Sequence, residues 1–323
     1  MLRTLRALDL RKDLDGVARI AATCFRDELE RRGTTIGATV RPLRTWLPLL
    51  CLAARFSKYV RDRMAGAVSI DDGRIASFVL MKPMGRETSQ WYVGPVATDP
   101  ACQRRGHGRA ALEEAMALAK KRGAGFALLD VRDENVAGIA LYESAGFSRY
   151  DSVALMRADA IAGDHEALAL PVGCVLRTLR LSDWRTRYRV ALAETPQAVL
   201  DRVPPHEREF RFPAWERLIL ALSARISRAR IRRYAVLADS LPRAWGSVRA
   251  ERNGRHSIAL HVALDDAEQL AAPLLDLLLS HLGTGACRSI QTRVRATAGP
   301  LLNALSSRGF RIVERYERLG RVL

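Results

Sequence analysis

Val96-Ala97-Thr98-Asp99-Pro100-Ala101-Cys102-Gln103-Arg104-Arg105-Gly106-His107-Gly108-Arg109 runs from an apolar stretch through a basic loop into a periodic apolar pattern. Glycines at 106 and 108 free the backbone just before a helix begins. Such a loop can converge its amide N–H groups on one point, and the helix N-terminus adds partial positive charge. The ligand it suits is a di- or polyphosphate, with Arg104, Arg105 and Arg109 as charge-assisted partners. Taken alone the G-x-G is weak: the third glycine of a dinucleotide fingerprint and the G-K-[ST] ending of a P-loop are both missing. A tight turn carrying solvated arginines satisfies the same residues.

Reading outward from this loop, residues 91–97 form a strand and residues 109–122 a helix. The run Phe126-Ala-Leu-Leu-Asp-Val131 has the character of a buried strand, and residues 137–144 form a helix closed by Gly146 as a left-handed cap. Residues 152–156 close the pattern as a strand. Upstream, Asp71-Asp72-Gly73 is a strong turn signal between strands at 64–69 and 74–81. Residues 2–8 form a short strand, and Leu14, Val17, Ile20 and Ala21 give residues 13–25 helical spacing. A second helix is expected over residues 41–56, weakened by Pro48. Its Trp46, Leu49, Leu50, Ala53 and Phe56 are expected to pack on the core, with an apolar substrate wall as the other reading.

The second half repeats the later elements in the same order. Ser257-Ile-Ala-Leu-His-Val262 stands where the 91–97 strand stood, residues 270–282 stand for the long helix, and Ser289-Ile-Gln-Thr-Arg-Val294 matches 126–131. Leu301-Leu-Asn-Ala-Leu-Ser-Ser-Arg-Gly309-Phe310 echoes Ile139-Ala-Leu-Tyr-Glu-Ser-Ala-Gly146-Phe147. Four elements in one order indicate duplication. A segment rich in small residues, 161–172, is the expected linker between a first domain at 1–160 and a second at 173–323.

Composition limits the function. The chain of 323 residues is long enough for two cores, and 48% hydrophobic with 27% charged residues is the balance of a soluble globular protein. The greasy stretch 46–54 is too short to cross a bilayer, and no leader pattern opens the chain; a cytoplasmic location with no membrane partner is expected. Five dispersed cysteines show no C-x-x-C and no histidine pairing, which argues against a disulfide framework and a metal site. Cys102 reads as a small loop residue or a reactive thiol. The net charge of +17 attracts phosphates, yet no aromatic-interleaved basic motif supports nucleic acid as a partner. A homodimer is compatible with everything above.

The loop resembles the Q/R-x-x-G-x-G/A signature of the GNAT superfamily of N-acetyltransferases, through Gln103, Gly106 and Gly108. The preceding Val-Ala-Thr-Asp-Pro is similar to that family's fourth strand. Asn135-Val-Ala-Gly-Ile-Ala-Leu-Tyr142-Glu-Ser-Ala-Gly146-Phe147 resembles its second motif. The resemblance is good over residues 64–157 and faint in the second half. It implies an α/β (α+β) fold of two tandem GNAT-like domains, each a mixed, mostly antiparallel sheet flanked by helices, the first intact and the second degenerate. It implies acetyl-CoA as co-substrate, no metal, and a small-molecule or peptide amine as acceptor. A non-catalytic acyl-CoA-binding regulatory module is the alternative.

Carried over by position, backbone groups of Val96 and Ala97 would pair with the pantetheine arm. The loop Gln103, Arg104, Arg105, Gly106, His107, Gly108 and Arg109 would hold the pyrophosphate, with His107 cast in a structural or ribose-facing part. Asn135 would contact the cofactor arm or cap the next helix. Tyr142 would protonate the departing thiolate as general acid, or else merely pack. The general base is not supplied by Ser89-Gln90-Trp91-Tyr92, none of which is acidic, and Glu87 reads as a solvated charge. In the second copy Leu264-Asp-Asp-Ala-Glu-Gln-Leu-Ala-Ala-Pro273 carries three acids and no glycine, and Leu305 stands for the tyrosine. That copy is expected not to bind acetyl-CoA productively.

Overall fold

In the computed structural model, which describes residues 3–31, 35–84, 89–159, 169–212, 217, 229–252, 254–282 and 288–323, the hairpin expected around Asp72-Gly73 is present. Strands β1 (Arg3–Ala7), β2 (Ala65–Asp71) and β3 (Arg74–Pro83) are antiparallel, and Asp71 faces Arg74 across a two-residue turn. Asp72 and Gly73 both have positive φ, 45° and 77°, as a turn matched to strand twist requires. Contacts divide the chain into two units, Met1–Val131 with Asn135–Arg149 and Leu319–Leu323, and Arg132–Glu134 with Tyr150–Arg318. Of the expected linker, residues 161–168 lie outside the described residues.

In the first unit the helices α1 (Leu10–Cys24), α2 (Arg26–Arg31), α3 (Ile36–Phe56) and α4 (Lys58–Arg63) lie between β1 and β2 in sequence. Strand β4 (Gln90–Thr98), helix α5 (His107–Lys121), strand β5 (Phe126–Arg132) and helix α6 (Val136–Ser144) follow. The strands stand in the order β1-β2-β3-β4-β5. Val17, Ile20 and Ala21 pack one face of α1 against Val68, Phe78 and Ala97. In a separate cluster Ala111, Leu112, Ala115 and Met116 of α5 pack with Trp91, Leu129 and Phe147.

Helix α3 differs from its expectation in two ways. It begins at Ile36 on a Thr35 cap, whose hydroxyl accepts the Ala38 N–H at 3.2 Å, and it runs through Pro42 as well as Pro48. The face Trp46, Leu49 and Phe56 is exposed, at 59%, 56% and 85%, while Leu47 is buried. The core thus takes the stripe one position round the helix from the one with the largest side chains, and the core-packing reading of Trp46, Leu49 and Phe56 is corrected.

The second unit is assembled the same way. Strand β6 (Ser148–Ala158) begins in the first unit and continues into the second, followed by β7 (Cys174–Thr178), α7 (Trp184–Ala193), α8 (Gln197–Leu200) and α9 (Glu207–Phe210). Then come β8 (Arg230–Ala238), β9 (Leu241–Ala250), β10 (Arg255–Val262), α10 (Ala267–Ser280), β11 (Ser289–Arg295), α11 (Gly299–Ser306) and β12 (Arg311–Val322). Its strands stand in the order β6-β11-β10-β9-β8-β7. Leu270, Leu274 and Leu278 of α10 form its core with Ile258, Leu260 and Ile290.

Each unit is completed by residues from the other half of the sequence. In the second, β6 pairs antiparallel with β11, from Ile290 opposite Ala158 to Arg295 opposite Val153. In the first, Leu319 is wholly buried in the core with Trp91 and Phe147, and the Leu323 N–H donates to the Gly125 carbonyl at 3.0 Å. Strand β12, and its ending inside the first unit, had no counterpart in the sequence reading.

Candidate active site

Strands β4 and β5 run parallel only from Gln90 opposite Phe126 to Tyr92 opposite Leu128, and then part. The β3–β4 register shifts between Val79 and Met81, so β4 carries an extra residue around Gly94-Pro95. The Asp99 N–H donates to the Ala76 carbonyl at 2.8 Å, and the Ala97 carbonyl accepts the Ser77 hydroxyl at 2.9 Å. Both residues therefore turn toward β3. By the alternation of the ladder, the backbone groups of Val96 and Thr98 turn into the opening beside β5. The Thr98 carbonyl there accepts from Cys24 Sγ at 3.3 Å and Gln103 Nε2 at 3.5 Å.

The basic loop joins this fork to α5. Asp99 caps a short 3-10 turn at Pro100–Cys102, accepting the Ala101 N–H at 3.1 Å. The hydrogen bond from Arg19 of α1 holds its carboxyl below the usual carboxylate range. Arg104 and Gly106 have positive φ, 60° and 78°. Gly106 ends the loop in the left-handed region that a side chain resists. The amides of Gly106, His107, Gly108 and Arg109 open α5 and have no acceptor within the helix. Arg3 Nη2 donates to the Arg105 carbonyl at 2.6 Å and braces the loop from β1.

The side chains of the loop divide by task. His107 is buried, at 4% exposure, with Nδ1 2.8 Å from Ser69 Oγ and Nε2 3.6 Å from Asp71. Its ring anchors α5 on β2, so of His107 only the backbone belongs to the loop's amide cluster. Arg109 Nε lies 2.9 Å from Glu113 on an exposed face, and Arg105 is 3.7 Å from Asp71. Cys102 is a free, half-buried thiol.

Helix α6 lies beside the fork. Asn135 is its cap, with Oδ1 accepting the Gly138 N–H at 2.9 Å; capping is thus one of its tasks. Leu141 Cδ2 would be 3.7 Å from a β-carbon at position 108. Tyr142 packs edge-on against Phe147, centroids 6.1 Å apart. Burial, with the nearby Tyr92 opposing a second negative charge, pushes the Tyr142 hydroxyl up to about 12. The hydroxyl therefore holds its proton across the neutral range. Tyr92, the last β4 residue paired to β5, carries the Lys82 ammonium 5.7 Å from its ring centroid.

Sequence reading missed Thr98, whose hydroxyl donates to Ser77 Oγ at 3.0 Å and whose backbone faces the fork, and it missed Arg3. Adjacent strand residues face opposite ways, so of the expected Val96 and Ala97 only Val96 faces the fork, and Thr98 stands beside it. Glu87 lies outside the described residues. Among the described residues no group of acids, histidines and cysteines is arranged to hold a metal ion, and no helix is long and apolar enough to cross a membrane.

A mixed sheet forked between its fourth and fifth strands, with a glycine-opened helix N-terminus at the fork, defines the acetyltransferase fold anticipated above. Residues 40–147 match the Acetyltransferase (GNAT) family. The first half of the chain thus carries a match to the GNAT family, and the fold of the whole chain is shared with a tandem GNAT structure. Over 77 residues it is 40% identical to the [Ribosomal protein bS18]-alanine N-acetyltransferase of Escherichia coli (24% of this chain, 50% of that one). Over 99 residues it is 33% identical to the N-alpha-acetyltransferase RimI of Mycobacterium tuberculosis (30% of this chain, 56% of that one). The chain thus spans about half the length of the curated relatives it matches. Among solved structures it resembles a GCN5-related N-acetyltransferase from Sphaerobacter thermophilus, at TM-score 0.62 and 17% identity over 99% of this chain and 95% of that one. It also resembles a tandem GNAT protein from the clavulanic acid biosynthesis pathway, at TM-score 0.55 and 16% identity over 99% and 98%.

Proposed function

We propose that the chain is an N-acetyltransferase that moves the acetyl group of acetyl-CoA directly to an amine of a small molecule or peptide, with its active site in the first unit. The observation that carries this reading is the β4–β5 fork, with the backbone of Val96 and Thr98 turned into it and the opened N-terminus of α5 beside it. The fit to acetyl-CoA is steric as well as electrostatic. A β-carbon at Gly108 would come 2.9 Å from Thr98 Oγ1, so the glycine keeps the helix start close to β4 with its amides open.

When bound, acetyl-CoA supplies the activated thioester. The residues Gln103 to Arg109 hold its pyrophosphate through amides and guanidinium groups. The backbone of Val96 and Thr98 pairs with its amide arm as a neighbouring strand would, in the place expected of Val96 and Ala97. An N–H of this stretch polarises the thioester carbonyl. Tyr142 keeps its proton until sulfur departs and delivers it there. The E. coli relatives are named for acetylating a ribosomal protein's alanine, which supports a peptide amine as one acceptor class. In this reading residues 1–160, completed by 319–323, are the catalytic portion, 173–323 form a copy that does not use acetyl-CoA, and the protein works in the cytoplasm.

Calorimetric titration of acetyl-CoA into the full chain tests the proposal, beside a folded Gly106→Glu, Gly108→Glu variant. One site per chain, lost in the variant, followed by turnover with an amine panel, is the expected result. Absence of binding to the parent chain would overturn it.

A further inference from the structure

The second unit repeats the fork of the first but not its loop. Strands β10 and β11 pair in parallel from Arg255 opposite Ser289 to Ser257 opposite Gln291, and then part. The Ser289 N–H donates to the Gly254 carbonyl at 3.1 Å, and the Ala263 N–H to the Arg243 carbonyl at 2.8 Å. Alternation between these two ends turns the backbone N–H and C=O of Leu260 and Val262 toward β11, beyond the last β10–β11 pair. Strands β9 and β10 pair through Val262 without a register shift, so this edge is straight where β4 is bulged. The parting leaves a cleft of about 550 Å³ with mainly apolar walls, a size suited to a small ligand or a short segment of chain.

Polar groups in the cleft define what it takes. Thr292, one of its lining residues, is 2% exposed, and its hydroxyl has no hydrogen-bond partner among the described residues. Buried hydroxyls are seldom left so. His261, also in the lining, has Nδ1 2.9 Å from both Glu194 carboxylate oxygens and stacks on Trp245 with centroids 4.2 Å apart. With Nδ1–H donating to Glu194, Nε2 is left as an acceptor that calls for a donor. At the border, Leu264–Asp266 leads directly into α10, whose first turn adds Glu268. Acids thus stand where the first unit has glycines and arginines, Asp266 paired with Arg243 at 3.6 Å, and the glycine-opened amide cluster that suits a pyrophosphate has no counterpart here.

From this geometry we infer that the second unit's cleft binds an extended, unphosphorylated peptide segment, added as a strand beside β10. The backbone of Leu260 and Val262 pairs with alternate peptide groups, His261 Nε2 accepts an N–H, and the apolar walls take the side chains. A straight edge of alternating donors and acceptors matches a chain whose amides repeat at strand spacing. This inference is independent of acetyl transfer in the first unit, and its test reads only the second.

The test is methyl-detected NMR on the full chain labelled at isoleucine, leucine and valine. The probe is an equimolar mixture of random-sequence unphosphorylated pentapeptides, with the same mixture N-methylated at alternate residues as its control. The expected result is a saturable shift of the Ile258, Leu260 and Val262 methyls that weakens about ten-fold with the N-methylated mixture. A similar weakening is expected in His261→Phe, which keeps the ring stack and removes the acceptor. If that variant does not fold, the N-methyl comparison decides alone. Unmoved methyls at millimolar peptide, or equal binding of both mixtures, overturn the inference. So do shifts of the same methyls by acetyl-CoA or pantetheine, which would make the cleft a second cofactor site.

Discussion

Gly108 stands against Thr98 so closely that a β-carbon on the glycine would lie 2.9 Å from the threonine hydroxyl oxygen. That hydroxyl also bonds Ser77 Oγ at 3.0 Å, and Ser77 bonds the Ala97 carbonyl. A side chain at 108 therefore pushes on the strand whose backbone faces the fork. Gly108→Ala is expected to weaken acetyl-CoA binding by about ten-fold, on the order of 1.4 kcal/mol, with a smaller change in melting temperature. Gly108→Ala combined with Thr98→Ser, which keeps the hydroxyl, should remain weak; with Thr98→Ala, which removes it, affinity should partly return. Calorimetry on the three variants reads the difference.

Tyr142 gives a prediction in rate and one in pH. Tyr142→Phe should lower kcat by about 10²-fold, with KM for acetyl-CoA nearly unchanged, because the ring and its contact with Phe147 remain. A fall in KM affinity with intact kcat would show a packing residue instead. The hydroxyl is raised from 10.0 to about 12 in the folded chain, so its proton favours the folded state. Its stabilising contribution is complete below pH 10 and is lost as pH rises through about 12. Denaturation curves should show the parent losing more stability than Tyr142→Phe across that interval.

The proposed site could be read from the sequence because its residues are local. Gln103, Gly106 and Gly108 lie within one turn and loop, and Asn135 to Phe147 within one helix and its cap. What was hidden depends on partners distant in sequence. Trp46, Leu49 and Phe56 have helical spacing, but spacing does not say which of two apolar stripes meets the core, and Leu47 was chosen. Neighbouring residues on a strand turn opposite ways, so Thr98 rather than Ala97 joins Val96 at the fork, and only the pairing of Asp99 with Ala76 shows which parity faces it. The span Arg311-Ile-Val-Glu-Arg-Tyr-Glu-Arg-Leu-Gly-Arg-Val322 alternates too weakly to be read as a strand, because charges occupy both of its faces.

His107 separates structure from catalysis within the loop. Its ring is bonded to Ser69, itself buried with no exposed surface. His107→Ala would leave the serine hydroxyl unpaired, at about 1–3 kcal/mol of stability, and should move the urea midpoint while leaving kcat at saturating acetyl-CoA within about three-fold, well short of the loss from removing a general acid or base. A large loss of kcat with an unchanged midpoint would instead place the imidazole among the reacting groups.

The first unit is held together in part by residues 319–323. Its core contains Leu319 with no exposed surface, and its β5 edge is bonded by Leu323 at 3.0 Å. Arg321 Nη1 also donates to the Ala145 carbonyl at 2.6 Å, at the end of the helix that carries Tyr142. A fragment of residues 1–160 contains every proposed site residue and lacks all three contacts. Deleting a buried leucine side chain alone costs about 2–5 kcal/mol, a large part of the 5–15 kcal/mol that holds a typical domain together. The fragment should therefore bind acetyl-CoA weakly or not at all, and Leu319→Ala in the full chain should lower hydrogen-exchange protection in β5 and α6. Adding a synthetic peptide of residues 311–323 should restore part of the binding, because it supplies the missing strand. Full-strength binding by the fragment without the peptide would mean that the first half closes its own sheet in solution, with β6 taking the place that Leu319 to Leu323 occupy here.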